Sequence, residues 1–597
     1  FALLTYRRLP NMASAPNALA MFGNRLYVSN ANNDTVSVFD AASLKPLKTI
    51  DLTPIPAMRR LRGVIPSAMA LSKDGKRLYV CESGLNAVAV IDTAAAKVVG
   101  TIPTGWFPNA ISLAPNGKML YIGTQKGLGR GPRGPLTPRA ATDERAGLPD
   151  MPGMVDAVRI PDPATLKVWS RETLRNNGLI PAARPTAPSI FPRELGKRSQ
   201  EIETVVFIVK ENHTFDGIFG DMPGYDGQPE YAEFGEKGWV RELGKEIHID
   251  MMPNHHRLAR QFAISQNFYM EPQASGDGHR WLVGVYPSLW SSRMFYAGWD
   301  FKAKSSARGR LVSFGSNGSQ IPEDYLENGS MWEHLERGGV PFRNYGEGFE
   351  FPGVEESEDT GKSGAWEVAN YPMPRALFNN TCFDFPIFNM NIPDIARADW
   401  FKEDLAKYRT GHGGKIPKFI YIALCNDHGT GADPKKGYPY VSSWMADNDL
   451  ALGRVVEHLT QQPEWKKMAI FVTQDDSGAD DDHIDRHRSF VLAISPYSKR
   501  GYAGKDHTSI MSITRSIYSL FGLGPNNMFD ALATPLDELF GMKPDFTPYK
   551  SVDVDPRVFK PEATVDADDP RFMKRRALAS PVRMDDPAFM EWLRNRN

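Results

Sequence analysis

Two hydrophobic patterns succeed one another along the chain, and they predict different architectures. Up to about residue 160, short alternating segments recur. Pro16-Asn17-Ala18-Leu19-Ala20 leads through Asn24-Arg25-Leu26-Tyr27-Val28-Ser29-Asn30 to Thr35-Val36-Ser37-Val38-Phe39-Asp40. The order returns from Pro66-Ser67-Ala68-Met69-Ala70-Leu71 through Leu78-Tyr79-Val80 to Ala87–Asp92, and again from Pro108-Asn109-Ala110-Ile111 through Leu120-Tyr121-Ile122. Alternation with period two predicts half-buried strands, and a repeat of about 40 to 50 residues predicts β-propeller blades. From about residue 201 the runs become continuous: Val205-Val206-Phe207-Ile208-Val209, Phe419-Ile420-Tyr421-Ile422-Ala423 and Met468-Ala469-Ile470-Phe471-Val472. Such runs, alternating with helical stretches such as Met331–Arg337 and Asp447–Thr460, predict a mostly parallel sheet covered by helices on both faces.

The expected organisation is therefore multidomain: a partial all-β propeller of about three blades over residues 1–175, then an α/β domain over 201–547. The third blade is interrupted by a Gly/Pro/Arg-rich loop at 126–153 and resumes at Met154-Val155-Asp156-Ala157-Val158-Arg159. Residues 176–200, with Pro181, Pro185, Pro188 and Pro192, read as a linker, and 548–597 as an extended tail lying along a surface. Three blades cannot close a ring, which needs at least about four. Sequence upstream of Phe1 is expected to complete it, the alternative being a partner chain. The start at Phe1 rather than Met agrees with an upstream segment that has been removed or is not represented.

Composition narrows the function classes. At 597 residues the chain exceeds one hydrophobic core. A formal net charge of −1 gives no reason to expect nucleic acid or an acidic membrane surface. No apolar run approaches the roughly 20 residues that span a bilayer, so no transmembrane segment is expected. Three cysteines, Cys81, Cys382 and Cys425, two of them in apparent strands, do not form a disulfide framework.

The chemistry lies where the apolar runs stop. The first ends at Glu211-Asn212, the second at Asn426-Asp427-His428, the third at Asp475-Asp476. In an open α/β sheet these are carboxyl ends of strands, where ligands bind, so three such ends bearing hard oxygen or imidazole groups read as one metal site. Carboxylates, an amide oxygen and a serine suit Ca²⁺, Mn²⁺ or Mg²⁺, and an added imidazole admits Zn²⁺ or Fe. Ser275, in Ala274-Ser275-Gly276-Asp277-Gly278-His279, sits where a sharp turn exposes a hydroxyl, and a nearby cation would make it a nucleophile. Taken alone, the segment reads first as a plain glycine-rich turn. His483 and His487, four apart, would share a helical face, while Asp480-Asp481-Asp482 with Asp485 reads as a solvated loop or a calcium loop. His255-His256 precede an expected helix at Arg257–Gln261 as capping, packing or catalytic residues, and the aromatic-rich stretch 282–400 is core or a lid.

Taken together, several of these segments resemble one family. Glu211–Asp216, Pro253-Asn254-His255-His256, Asn267-Phe268-Tyr269, Ser275–His279, Asn426-Asp427-His428, Ala446–Gly453, Asp475-Asp476 and Asp482–Ser489 look like the phosphoesterase family of non-specific phospholipases C and acid phosphatases, within the alkaline phosphatase superfamily. The resemblance spans 201–547 in the expected order. Tyr27-Val28-Ser29-Asn30 is similar to the tetrapeptide of bacterial Tyr-Val-Thr-Asn propellers, behind which members of that family occur fused. It implies an alkaline-phosphatase-like α/β domain with one or two divalent ions and a phosphate-ester substrate. By position, Glu211, Asn212, Asp475 and Asp476 resemble metal ligands, and Ser275 resembles a metal-bound nucleophile that forms a phosphoseryl intermediate. Asp427 with His483 or His487 would make a second metal or phosphate-contacting position, and His279 and His428 would serve as oxygen-binding or leaving-group partners. Gln474 departs from the acidic residue of many relatives and lowers the local charge by one. The expected activity is phosphomonoester hydrolysis in the periplasm or outside the cell. The alternatives are a phosphodiesterase or phospholipase C, and a propeller scaffold carrying a degenerate, non-catalytic domain.

Overall fold

The computed structural model describes residues 15–129, 153–180, 188–240, 247–272, 274–289, 326–347, 372–385, 392–429, 437–478 and 480–556, with a few short pieces between and beyond them. The repeats form three antiparallel sheets. The first blade is β1 (Pro16–Phe22), β2 (Arg25–Asn30), β3 (Thr35–Asp40) and β4 (Pro46–Asp51). The second is β5 (Pro66–Leu71), β6 (Arg77–Glu82), β7 (Ala87–Asp92) and β8 (Lys97–Pro103). The third holds β9 (Trp106–Leu113), β10 (Met119–Gly127) and β11 (Met154–Arg159), so the chain does re-enter the blade at Met154. The Gly/Pro/Arg-rich interruption lies outside the described residues over 130–152. Helix α1 (Pro163–Asn176), capped by the Asp162 carboxylate on the amides of Ala164 and Thr165, closes the segment and packs on β8.

Equivalent positions in successive repeats tie blade to blade. The Asp34 carboxylate accepts from the amides of Gly63 (2.9 Å) and Ile65 (3.1 Å), and Asn86, one repeat on, accepts from Phe107 N at 2.8 Å. Glu82 stands at the repeat position of Asn30. It is 1% exposed, and burial, helped by the Asp34 charge, pushes its carboxyl up to about 8. A raised acid stabilises the fold below the unfolded value of 4.5, and that contribution is lost as pH climbs through 8. We expect Glu82→Gln to remove a pH-dependent loss on the order of 4 kcal/mol. Hydrogen exchange of β6 and β7 in both proteins at pH 5 and pH 9 checks this; equal pH slopes would refute it.

The second domain is built on an eight-stranded mixed sheet. Its strands are β12 (Thr204–Lys210), β15 (Ala263–Tyr269), β16 (Phe342–Tyr345), β18 (Phe419–Ala423), β19 (Met468–Gln474), β20 (Arg488–Ile494), β21 (Tyr502–Gly504) and β22 (Thr508–Ser509). The main path runs β16-β18-β12-β19-β20-β15-β21, and β22 pairs with β15. Strands β16, β18, β12 and β19 are mutually parallel and β20 alone opposes its neighbours. Two minor pairs stand apart, β13 (Gly238–Val240) with β14 (Ile247–Ile249), and β17 (Pro372–Met373) with β23 (Val582–Arg583). The continuous apolar runs are explained by burial on both faces: Val205 to Val209 and Met468 to Val472 are buried throughout. Full burial stabilises by roughly 1.5–3 kcal/mol per large aliphatic side chain, so these strands anchor the domain.

Helices α2 (Phe215–Phe219), α3 (Pro253–Gln261) and α4 (Ser275–Leu282) follow β12, β14 and β15, and the long helices Asp394–Gly411 and Val441–Thr460 pack together. The two domains meet through Arg62, whose carbonyl accepts from Met528 N (2.9 Å) and whose guanidinium pairs with Glu327 at 2.7 Å. The segment after 548 starts inside the domain. Tyr549 is buried, its hydroxyl donates to Asn254 Oδ1 (2.7 Å), and Val552 N donates to the same oxygen at 2.8 Å. Much of the aromatic-rich stretch, including 293–325 and 348–371, lies outside the described residues.

Candidate active site

Three parallel neighbours, β18, β12 and β19, end on the same sheet edge in the register Val209↔Ala423 and Lys210↔Gln474. Glu211, Asn212, Asp427, Asp475 and Asp476 are thereby delivered to one edge. Strand β15 runs in the same direction, so the turn after it brings Ser275, the first residue of α4, to that edge as well.

Close backbone approaches set the distances. A Cβ on Gly278 would lie 2.4 Å from the Asp475 carbonyl oxygen, so only glycine lets α4 sit directly on the end of β19. A Cβ on Gly478 would lie 2.3 Å from the carbonyl oxygen of Asn212. Asn212 itself has φ 63°, in the left-handed region that costs a non-glycine residue energy and gathers at functional sites.

The Ser275 hydroxyl is 3.1 Å from Asp476 Oδ2 and 3.1 Å from the Asn212 side-chain oxygen. That oxygen also faces Asp476 Oδ1 at 3.0 Å and Asp475 Oδ1 at 3.2 Å, while the amide nitrogen is 3.1 Å from His428 Nε2. Acceptor facing acceptor is repulsive. Either the amide turns over, or a cation comes between these oxygens. His428 Nδ1 is 3.0 Å from the Gly429 carbonyl, which can only accept, so Nδ1 carries a proton.

His279, one helical turn beyond Ser275, shares its face of α4. Its Nε2 lies 3.2 Å from Glu211 Oε1 and 3.7 Å from Asp475 Oδ2, and its Nδ1 lies 2.8 Å from Glu347 Oε2. Burial alone would lower the imidazole pKa, but the charges of Glu347 and Glu211 raise it well above the usual value. Burial and the charges of Glu211 and Asp476 raise the Asp475 carboxyl far above its normal range. Asp475 Oδ2 is buried and has no hydrogen-bond partner among the described residues. Three carboxylates converging with so little positive charge suit a divalent cation, and ligand atoms of Glu211, His279 and Asp475 lie within 4.8 Å of one another.

Asp427, His483 and His487 are not brought together. Asp427 is fully buried, ion-paired to Lys210 Nζ at 2.8 Å, and accepts from Glu211 N (3.1 Å) and Asn448 Nδ2 (2.9 Å). Its charge is thus already balanced and it braces the Glu211 backbone. His483 Nδ1 is 2.6 Å from Asp216 Oδ2 in a separate cluster with Asp482 and Arg488. His487 Nδ1 is 2.8 Å from Asp485. These two histidines share no helical face, because 480–487 is a turn rather than a helix. Nor is that acidic run solvated: Asp482 is buried against Arg488, and Asp480 is 2.7 Å from His213 Nδ1. His255 and His256 are buried and bonded to Asp449 and Asp250. Gln474 is buried beside Lys210, with neither amide atom hydrogen-bonded among the described residues.

Lys210, Glu347 and Tyr421 were missed in the sequence, although each carried a signal. Lys210 is the one charge closing an apolar run, Tyr421 the one hydroxyl within another, and Glu347 an acid following the short strand β16.

This fold and site define a mixed α/β domain with an acid-rich centre at its strand ends, joined to propeller blades. Residues 248–524 match the Phosphoesterase family, and residues 12–128 match the lactonases of seven-bladed β-propeller type. The chain is thus a fusion of a phosphoesterase-family domain to a propeller segment. The match begins after Glu211 and Asn212, which join the site through the parallel pairing of β12 with β18 and β19. No curated protein matches the chain. Among solved structures, the hydrazine synthase of Kuenenia stuttgartiensis is 24% identical over 22% of this chain and 34% of its own, with a TM-score of 0.18. Virginiamycin B lyase from Staphylococcus aureus is 18% identical over 26% and 45%, with a TM-score of 0.17. A Bacteroides thetaiotaomicron protein from a locus for metabolism of multiple glycosaminoglycans is 13% identical over 54% and 73%, with a TM-score of 0.36. The chain spans less than half the length of the first two.

Proposed function

We propose that this chain is a metal-dependent phosphoric monoester hydrolase working through Ser275 and a phosphoseryl intermediate, in an extracytoplasmic compartment. The observation that carries the reading is the Ser275 hydroxyl at 3.1 Å from both Asp476 and Asn212, at the head of a helix seated on the end of β19. Glu211, Asn212, Asp475 and Asp476 would hold the cation. When bound, it supplies the positive charge that ionises the serine and neutralises phosphoryl oxygens. Ser275 Oγ bonds to phosphorus as the ester P–O bond breaks, its proton passing to Asp476 Oδ2 and the departing alkoxide taking a proton from solvent. Water then attacks phosphorus, releases inorganic phosphate, and the serine regains its proton. Burial of Ser275, and the small space beside Glu211 and His279 that Phe388, Arg397 and Cys425 also line among the described residues, favour a compact monoester over a long-chain diester.

Metal-reconstituted protein should turn over p-nitrophenyl phosphate faster than bis-p-nitrophenyl phosphate, and phosphatidylcholine least. A diester or lipid preference would reverse the substrate assignment. Metal-loaded protein inert toward all three would return the chain to the scaffold reading.

A further inference from the structure

Glu347 stands behind His279 rather than beside the reacting groups, its backbone fixed by Asn344 and its Oε2 held by Tyr421. It follows β16, where Asn344 clamps it twice: Asn344 Nδ2 donates to the Glu347 carbonyl (2.8 Å) and Glu347 N donates to Asn344 Oδ1 (3.2 Å). Its Oε2 accepts from the Tyr421 hydroxyl at 2.6 Å and lies 2.8 Å from His279 Nδ1. All four residues are buried. A carboxylate can only accept, so His279 Nδ1 carries a proton and the ring aims Nε2 at Glu211 Oε1 and Asp475 Oδ2.

That aim has two physical solutions. A second ring proton could bridge the acids, or Nε2 could present its lone pair to a cation. The spacing favours the cation. Metal–nitrogen and metal–oxygen bonds of about 2 Å place ligand atoms of one ion roughly 3 to 4 Å apart. The separations of 3.2 and 3.7 Å fall in that range, and the longer is too long for a hydrogen bond. A bridging proton would also leave Asp475 Oδ2 without a partner among the described residues. A histidine whose far nitrogen is fixed by a buried carboxylate is the usual support of a metal-binding imidazole.

We propose that Glu347, seconded by Tyr421, is a positioning residue that holds His279 Nε2 as a nitrogen ligand to a metal shared with Glu211 and Asp475. The inference rests on the metal-dependent reading above and deepens it. An imidazole in the donor set makes the resident ion a transition metal of the Zn²⁺ or Fe²⁺ kind, against Ca²⁺ and Mg²⁺, which prefer all-oxygen shells.

The test uses the full chain, stripped with chelator and dialysed against Zn²⁺, Mg²⁺ or Ca²⁺, with bound metal measured directly. Wild type should retain Zn²⁺ at concentrations where Mg²⁺ and Ca²⁺ are lost. Glu347→Gln should weaken Zn²⁺ binding roughly 10–100-fold, His279→Gln at least as much, and Tyr421→Phe by a smaller factor. Co²⁺-loaded wild type should show a visible ligand-field spectrum that changes in Glu347→Gln, a response that packing alone would not produce. Melting temperatures identify variants that fail to fold, and Tyr421→Phe, which loses one hydroxyl, keeps the series readable. Zn²⁺ affinity in His279→Gln within threefold of wild type would overturn the inference, leaving the ring a charged bridge, while metal-dependent turnover would still stand. Preference of wild type for Mg²⁺ or Ca²⁺ would overturn it too. Wild type that binds no divalent ion would overturn both this inference and the hydrolase reading.

Discussion

Ser275→Ala is expected to lower phosphomonoester turnover at least about a thousandfold while the protein keeps its metal and fold. Loss of a catalytic nucleophile costs many orders of magnitude when the remaining groups cannot act without it. The structural cost is small by comparison. The hydroxyl takes part in two contacts of 3.1 Å, and each neutral or charge-assisted hydrogen bond is worth about 1–2 kcal/mol net. Alanine also suits the first turn of α4, so the helix and its seat on Asp475 remain. The measurement is single-turnover hydrolysis of p-nitrophenyl phosphate beside metal content, with acid quenching to trap phosphate on the protein. Wild type should retain acid-stable phosphate on serine and the variant none. A variant within tenfold of wild type would show that Ser275 only fills a turn, and that water attacks the ester directly.

Asp475→Asn is expected to move stability in opposite directions with and without metal. In the metal-free protein the Asp475 carboxylate is opposed by burial and by Glu211 and Asp476. Its raised pKa means that its charge destabilises the fold as pH rises above the normal carboxylate range. The amide removes that charge yet keeps an oxygen for the backbone N–H of Asn212, whose nitrogen is 3.1 Å from Asp475 Oδ1. The chelated variant should therefore melt higher than chelated wild type at pH 8. With metal present the order should invert, because a buried ligand charge is gone and affinity falls by about 100-fold or more. Turnover should fall with it. Melting curves with chelator and with saturating metal check both halves. A variant destabilised equally in both conditions would assign Asp475 a packing role.

Much of the architecture was legible because the signals are local and repeated. The blades appear wherever Tyr-Val-like cores alternate with Asn-Gly or Asp-Gly turns, since a half-buried antiparallel strand needs only period-two patterning. The parallel sheet was visible because strands covered on both faces must be apolar throughout, and an abrupt polar stop marks each carboxyl end. Glu211, Asn212, Asp475 and Asp476 were singled out in this way, and the sheet register brings them to one edge. The same logic misled at 480–487: an acidic stretch looks solvated in sequence, whereas the adjoining Arg488 folds back onto Asp482 and His213 arrives from a distant segment as a buried partner of Asp480. His483 and His487 were spaced for a helix that does not form, because the Asp482 carboxylate caps a turn by accepting from Ile484 N at 2.9 Å and Asp485 N at 3.2 Å.

What the sequence by itself determined was the succession of a propeller segment and an α/β domain, and the polar strand ends where chemistry could gather. Both follow from patterning within short windows. Only the tertiary structure decided which groups meet: that Asp427 pairs with Lys210, and that Gly278 lets α4 bring Ser275 and His279 onto Asp475. It also decided that Glu347 and Tyr421, far apart in sequence, close behind the imidazole. These are distances between side chains from different strands. They depend on sheet order and register, which long-range packing sets and no local pattern encodes.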